Sequence, residues 1–160
     1  VNASPRELRR PEYADAVAGA LRRHALDPGA LIVEVTESAA IQKTSGPTPL
    51  DRLRDLGVGL AIDDVGEGFS SLSRLREMPV ELLKIDRVFL RDVPHSAEAA
   101  ALITAIIQLG AALGRQVVAE GIETEEQRAF LEEHGCPLGQ GFHLARPMPA
   151  EEATALLLRN

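Results

Sequence analysis

The sequence predicts an α/β fold built on one parallel sheet, and three observations predict it. Short apolar runs of strand type alternate strictly with segments of helical periodicity along the 160 residues. No composition break or low-complexity segment interrupts them, so residues 1–160 read as a single domain. The strand-type runs also end on carboxylates, amines or amides: Glu34 and Glu37, Asp63 and Asp64, Lys84 and Asp86, Glu120, and Gln140. Parallel strands joined by crossover helices point their carboxyl ends one way. These groups are therefore expected to converge on one face, where α/β proteins place their chemistry.

Each element has its own signal. Val1-Asn2 reads as the end of a strand, after which Ser4, Pro5 and Glu7 stand in the order of cap, first-turn proline and N3 acid. The spacing of Tyr13, Val17, Ala20, Leu21 and His24 predicts a helix over 11–25, and Asp27-Pro28-Gly29 is a turn. Residues 31–35 form the next strand, and 42–49, rich in Thr, Ser, Gly and Pro, its surface loop. A short helix over 50–56 closes at Gly57, followed by a strand over 58–62, a helix over 70–78 and a strand over 80–85. The longest helix covers 97–113, with Gly114 as its stop. A strand over 116–119 leads to a helix over 124–133 capped by Thr124, with Gln127 three residues on. A short strand over 137–142 and a helix over 149–158 end the chain.

Counting Val1-Asn2, these are six β/α units, and two topologies fit them: an open doubly wound sheet and a closed eight-stranded barrel. Six units are two short of a barrel. The start at Val1-Asn2 lacks a Met and any signal-peptide pattern, so the chain reads as a piece of something longer whose first two units lie upstream.

Composition narrows the function. With 45% hydrophobic and 26% charged residues, the chain has the make-up of a globular protein able to bury a core. Its net charge of -7, with no Lys/Arg cluster, argues against a surface that tracks a nucleic-acid polymer. A small phosphate ligand fits if metal ions offset the acid. Cys136 is alone, which excludes an intrachain disulfide and agrees with a reducing, cytoplasmic location. The stretch 97–113 is broken by Glu98, Thr104, Gln108 and Gly110 and is too short and polar to span a bilayer.

The strand ends carry the chemistry. Strand alternation puts Glu34 and Thr36 on one face and Val33 and Val35 on the other, aiming Glu34 into a barrel mouth; otherwise it merely ends a strand. The adjacent carboxylates of Asp63 and Asp64 are costly together unless cations or donors compensate them. Their oxygens suit Mg²⁺, Mn²⁺ or Ca²⁺, and two such ions about 3.5–4 Å apart clamp both sides of a phosphoryl centre. In the alternative, Asp64 caps the following helix and Gly66 and Gly68 only make the turn. Gly66-x-Gly68-x-x-Ser71, with Asp86 twenty residues beyond Gly66, imitates a dinucleotide fingerprint. Its third glycine is replaced, and Asp63, Asp64 and Glu67 would crowd a pyrophosphate with negative charge. Lys84 and Asp86 place an amine and a carboxylate on one strand end, able to handle a water or a phosphate oxygen, or to form a structural ion pair. Gly121 would let the backbone approach a ligand beside Glu120, and Gln140-Gly141-Phe142 repeats the pattern with an amide suited to a base edge or phosphate. His24, His95, His134 and His143 show no ligand spacing.

Val1-Asn2-Ala3-Ser4, Glu34-Val35-Thr36-Glu37-Ser38, residues 63–71, Lys84-Ile85-Asp86, Glu120-Gly121-Ile122-Glu123 and Gln140-Gly141-Phe142 together resemble the EAL-domain family of cyclic di-GMP phosphodiesterases, in the right order through nearly the whole chain. The resemblance implies a modified (β/α)₈ barrel that opens cyclic di-GMP to linear pGpG with two Mg²⁺ or Mn²⁺ ions. It implies that Asn2, Glu34 and Asp63 are metal ligands, with Asp64 on the second ion. Lys84 would position the hydrolytic water or act as its base. Glu120 would complete the carboxylate cluster with support from Glu123. Glu37 would anchor the mobile Asp-Asp loop, and Gln140 with Gly141 would face the ligand. Upstream sensory or cyclase modules, a membrane anchor in the parent protein and a homodimer are further family expectations.

Three departures stand against the full pattern. The Glu-Ala-Leu motif, whose glutamate is a further metal ligand, does not occur in these residues. Val65, Glu67 and Phe69 occupy positions where the family's loop has Phe, Thr and Tyr. A six-unit barrel would also expose two strand edges. The alternative function is a catalytically degenerate EAL-like domain acting as a cyclic di-GMP receptor or protein-interaction module.

Overall fold

The computed structural model describes residues 1–40, 47–65 and 72–158, with side chains of 72–74 excepted. The glycine-rich segment 66–71, including Glu67 and Phe69, and most of the expected loop over 42–49 lie outside the described residues.

The elements are α1 (Tyr13–Arg23), a 3-10 turn (Pro28–Ala30), β1 (Ile32–Thr36), α2 (Glu37–Ala40), α3 (Pro49–Asp55), β2 (Gly59–Val65), α4 (Leu72–Glu77), β3 (Leu82–Ile85), α5 (Arg87–Leu90), α6 (Ala97–Ala112), β4 (Gln116–Glu120), α7 (Glu125–Glu133), β5 (Leu138–Gln140) and α8 (Ala150–Leu157). Sequence periodicity locates all but the one-turn helices α2 and α5. Those are too short to show a period, and they are nucleated by the strand ends themselves. Asp86, for example, caps α5 by accepting the Val88 N–H at 2.6 Å. Ser4 and Glu7 do bond reciprocally, but the chain makes only turns there and α1 starts at Tyr13. Thr48 and Asp51 form a capping box at α3, and Thr124 and Gln127 form one at α7.

The five strands are all parallel and stand in the order β1-β2-β3-β4-β5. Asn2 pairs in parallel with Glu34, so the opening segment takes the next place beside β1. This order separates the two topologies. A doubly wound sheet needs a reversal of strand order, whereas sequential crossovers of one hand lay every helix on the same side. The remaining side becomes the inner wall of a barrel.

Burial follows that geometry. Val33, Val35, Leu60, Ile62, Leu83, Ile85, Val117 and Ala119 are buried in one core with Leu21 of α1, Leu50 and Leu53 of α3, Ile103, Ile106 and Ile107 of α6, and Leu131 of α7. The alternate residues of β1, β3 and β4 form the inner wall, where Leu82 and Val118 are half-buried and Ile32 is exposed. At the carboxyl ends the same alternation brings Glu34, Asp63, Lys84 and Glu120 inward. Among the described residues, no helix is long and apolar enough to cross a membrane.

Candidate active site

Lys84 is the centre of the inner face. Its side chain is only 7% exposed, and Nζ lies 2.8 Å from Glu34 Oε2, 3.3 Å from Asp63 Oδ1 and 2.5 Å from Glu120 Oε1. Strands β1, β2 and β4 thus each send one carboxylate to the ammonium on β3. Gln140 at the end of β5 donates from Nε2 to Glu120 Oε1 at 2.9 Å, extending the network one strand further. Burial alone would lower the Lys84 pKa. The hydrogen bonds to Glu120 and Glu34 and the charges of Glu120 and Asp63 outweigh it and hold the amine well above its ordinary value. In this arrangement Lys84 is a fixed cation.

The Asp-Asp pair owes its placement to a bulge. Ile62 pairs with Leu83 and Val65 with Ile85, so Asp63 and Asp64 stand together opposite Lys84. Such an insertion twists the strand and re-aims a side chain. Asp64 takes the left-handed backbone (φ 58°), which Asp tolerates better than most residues, and its N–H donates to Asp63 Oδ1 at 3.2 Å. Asp63 keeps the inward place that alternation gives it and faces Lys84, while the extra residue lets Val65 return to the core.

A cleft of about 430 Å³ opens beside Glu120, lined by Gly121, Glu123, Gln140, Gly141, Phe142, Arg87 and Arg146 among others. The Arg146 guanidinium lies 4.7 Å over the Phe142 ring. Sequence reasoning passed over Arg87 and Arg146. The signal for Arg87 was its place just after the polar end of β3; Arg146 follows the last strand end and carries no pattern of its own. A second, mostly apolar cavity of about 300 Å³, reached by Tyr13, Val17 and His24, touches none of the clustered carboxylates.

Other expectations shift. Asp86 caps α5 and does not share the work of Lys84. Gly121 is already required by packing within the protein: with φ 70°, a Cβ there would meet Arg87 Cβ at 2.3 Å. Gly141 lines the cleft and also packs on backbone, since its Cβ would fall 2.1 Å from the Ile122 carbonyl oxygen. Glu37 opens α2, and the loop it was expected to anchor lies outside the described residues. Asn2 is placed next to Glu34 by its backbone pairing.

Among the described residues, no group of three or more His, Cys, Asp or Glu is disposed to hold a metal ion, because the carboxylates close on Lys84. The donor set still fits a hard divalent cation: every ligand atom is oxygen, and three carboxylates face one ammonium, leaving excess negative charge.

A parallel sheet of sequential order with a charged, oxygen-rich cluster at its carboxyl ends is the architecture of part of a β/α-barrel domain. The chain belongs to the EAL-domain family, whose model matches residues 1–147. It is 46% identical over 156 residues to the bifunctional diguanylate cyclase/cyclic di-GMP phosphodiesterase MucR of Pseudomonas aeruginosa, covering 97% of this chain and 23% of MucR. It is 44% identical over 150 residues to the cyclic di-GMP phosphodiesterase NbdA of the same organism, covering 93% of this chain and 19% of NbdA. The chain therefore spans less than a quarter of these relatives. The solved MucR phosphodiesterase in complex with cyclic di-GMP superposes with a TM-score of 0.88 at 45% identity, covering 96% of this chain and 62% of that one. Klebsiella pneumoniae BlrP1, solved with manganese and cyclic di-GMP, gives a TM-score of 0.78 at 33% identity, covering 89% and 37%.

Proposed function

We propose that this chain forms part of a metal-dependent phosphodiesterase that hydrolyses cyclic di-GMP to linear pGpG in bacterial second-messenger signalling. The observation that carries the reading is the convergence of Glu34, Asp63 and Glu120 on Lys84 beside a cleft able to take a small ligand. Glu34 and Asp63, with Asn2 and Asp64, are the residues that would hold Mg²⁺ or Mn²⁺. Such ions, when bound, polarise a phosphodiester and lower the pKa of a water.

The remaining work falls to this chain's own groups. The Lys84 ammonium opposes negative charge developing at phosphorus and orients a water by hydrogen bonding. Glu120 holds that amine in place, and Gln140 holds Glu120. The guanidinium groups of Arg87 and Arg146 and the Phe142 ring supply the cleft with charge and a flat face for a guanine nucleotide. Glu37 is assigned the anchoring of the segment after Asp64.

The test is cyclic di-GMP turnover with Mg²⁺ and with Mn²⁺ by the full-length protein that contains this chain, beside its Glu34→Ala variant. Linear product that disappears in the variant is the expected result. Tight binding without product would instead make the domain a receptor, and neither binding nor product would overturn both readings.

A further inference from the structure

We infer that Gln127 is a positioning residue for this site: its buried amide ties the loop after β4 to the helix after β3 and so fixes Glu120 against Lys84. The inference rests on the function proposed above. Among the described residues, the buried polar side chains are Lys84 and Gln127, the latter 6% exposed. Burying an amide is costly unless its polar atoms are bonded. Here Oε1 accepts the N–H of Glu123 at 2.8 Å and of Thr124 at 3.2 Å, and Nε2 donates to the Leu90 carbonyl at 2.8 Å.

Capping α7 accounts for only half of this. A residue at N3 of a capping box needs an acceptor, and glutamate serves as well as glutamine. The donation to Leu90 crosses to the last residue of α5, thirty-seven positions away, and the box does not require it. Its effect is to join two strand ends. Lys84 stands three residues before the start of α5, and Glu123, three residues after Glu120, is held by the same amide. The junction is already tight, because Gly121 leaves no room for a Cβ against Arg87. Spacing set by Gln127 therefore passes into the 2.5 Å contact between Lys84 and Glu120.

Gln127→Glu separates the two roles, because it keeps the acceptor for the cap and turns a carboxylate oxygen toward the Leu90 carbonyl. In the full-length protein it is expected to lower kcat on cyclic di-GMP about 10–100-fold, as loss of a supporting hydrogen bond does at other sites. KM should stay within about threefold. Thr124→Ala, which weakens the cap but spares the amide, is expected to leave kcat within about threefold. Crystal structures of the two variants give a readout without turnover: the Lys84–Glu120 contact opens in Gln127→Glu and persists in Thr124→Ala. If Gln127→Glu does not fold, Gln127→Met replaces it; because Met removes the cap acceptor as well as the donor, its kcat loss is read against that of Thr124→Ala and is expected to exceed it about tenfold or more. Wild-type kcat and an intact contact in the Gln127 variant would reduce Gln127 to a cap, as would equal kcat losses in both variants. If the wild-type protein turns over no cyclic di-GMP, the proposed function fails, and the crystallographic contact alone decides the role of Gln127.

Discussion

Lys84 Nζ and Glu120 Oε1 lie 2.5 Å apart on adjacent parallel strands, with the amine nearly sealed from solvent and the carboxylate 18% exposed. The pair is the middle of a chain of contacts that runs from Glu34 on β1 to Gln140 on β5. One ammonium so placed compensates carboxylates that would otherwise repel one another across the barrel mouth.

Lys84→Met should therefore leave Glu34, Asp63 and Glu120 facing each other without a cation. Removing one partner of a fully buried pair costs about 3–5 kcal/mol; with these carboxylates about one-fifth exposed, about 2 kcal/mol is expected. The folded pKa of Lys84 is raised, so its stabilisation is complete below the unfolded value and is lost only as pH rises through the folded one. The wild-type advantage should accordingly hold constant from about pH 6 to 9, within the range where lysine stays charged. Urea unfolding of both proteins in a chelator measures it, and a gap that closes toward pH 9 would contradict the assignment.

Much of this site was legible because strand alternation is a strong rule. Glu34, Lys84 and Glu120 each follow an apolar run, and the period of two sends them inward while Val35, Leu83 and Ala119 go to the core. Asp63 and Asp64 were legible as a pair but not as a bulge, since an extra residue in one strand is seen only against its partner's register. Gly121 and Gly141 read as ligand approaches because a glycine signals close contact without saying with what; both line the cleft, and their close contacts with Arg87 and Ile122 are tertiary facts with no local signal. Gln127 was legible as a cap from its distance to Thr124, whereas its bond to Leu90 is a tertiary fact with no local signal.

Gly141→Ala should damage the end of β5 more than its small size suggests. The new Cβ would fall 2.1–2.7 Å from Ile122 backbone atoms, and backbone cannot swing aside as a side chain tip does. The expected loss is about 2–3 kcal/mol, the upper range for overpacking. At Gly114 (φ 66°), where nothing lies within 4 Å, alanine pays for backbone strain alone, about 1 kcal/mol. Comparable losses in chemical denaturation would show that the close approach to Ile122 is not rigid.

Thr48→Ala tests the start of α3. The Thr48 N–H and Oγ1–H both donate to Asp51 Oδ2, at 2.9 and 2.7 Å, and Thr48 Oγ1 accepts the Asp51 N–H at 3.1 Å. The backbone bond from Thr48, followed by its hydroxyl bond, lowers the Asp51 pKa below its ordinary value. A depressed carboxyl contributes stability above its unfolded pKa and loses it as pH falls through the folded one. The variant should lose about 1 kcal/mol at neutral pH, and the difference should shrink in acid below about pH 4. Paired urea titrations at neutral and acid pH check the sign.

Arg115 governs the approach to β3. From the position just before β4 its Nη2 donates to the carbonyls of Met78 at 2.8 Å and of Leu75 and Arg76 at 3.3 Å, gathering the end of α4 and the turn that delivers Lys84. A cation there also meets the negative end of the short helix. Burial lowers the Arg115 pKa, partly offset by Glu81, yet a guanidinium remains charged through any accessible pH. Arg115→Met removes these donors and is expected to cost about 1 kcal/mol, since the bonds it breaks are part-buried or exposed and water can reach the freed carbonyls. Arg115→Lys has no planar fork to span several carbonyls and should recover only part of the loss. Amide exchange should quicken in α4 and β3 before it does in α7 if the contact acts locally. Uniform acceleration would mean that Arg115 supports the whole sheet instead of the path to Lys84.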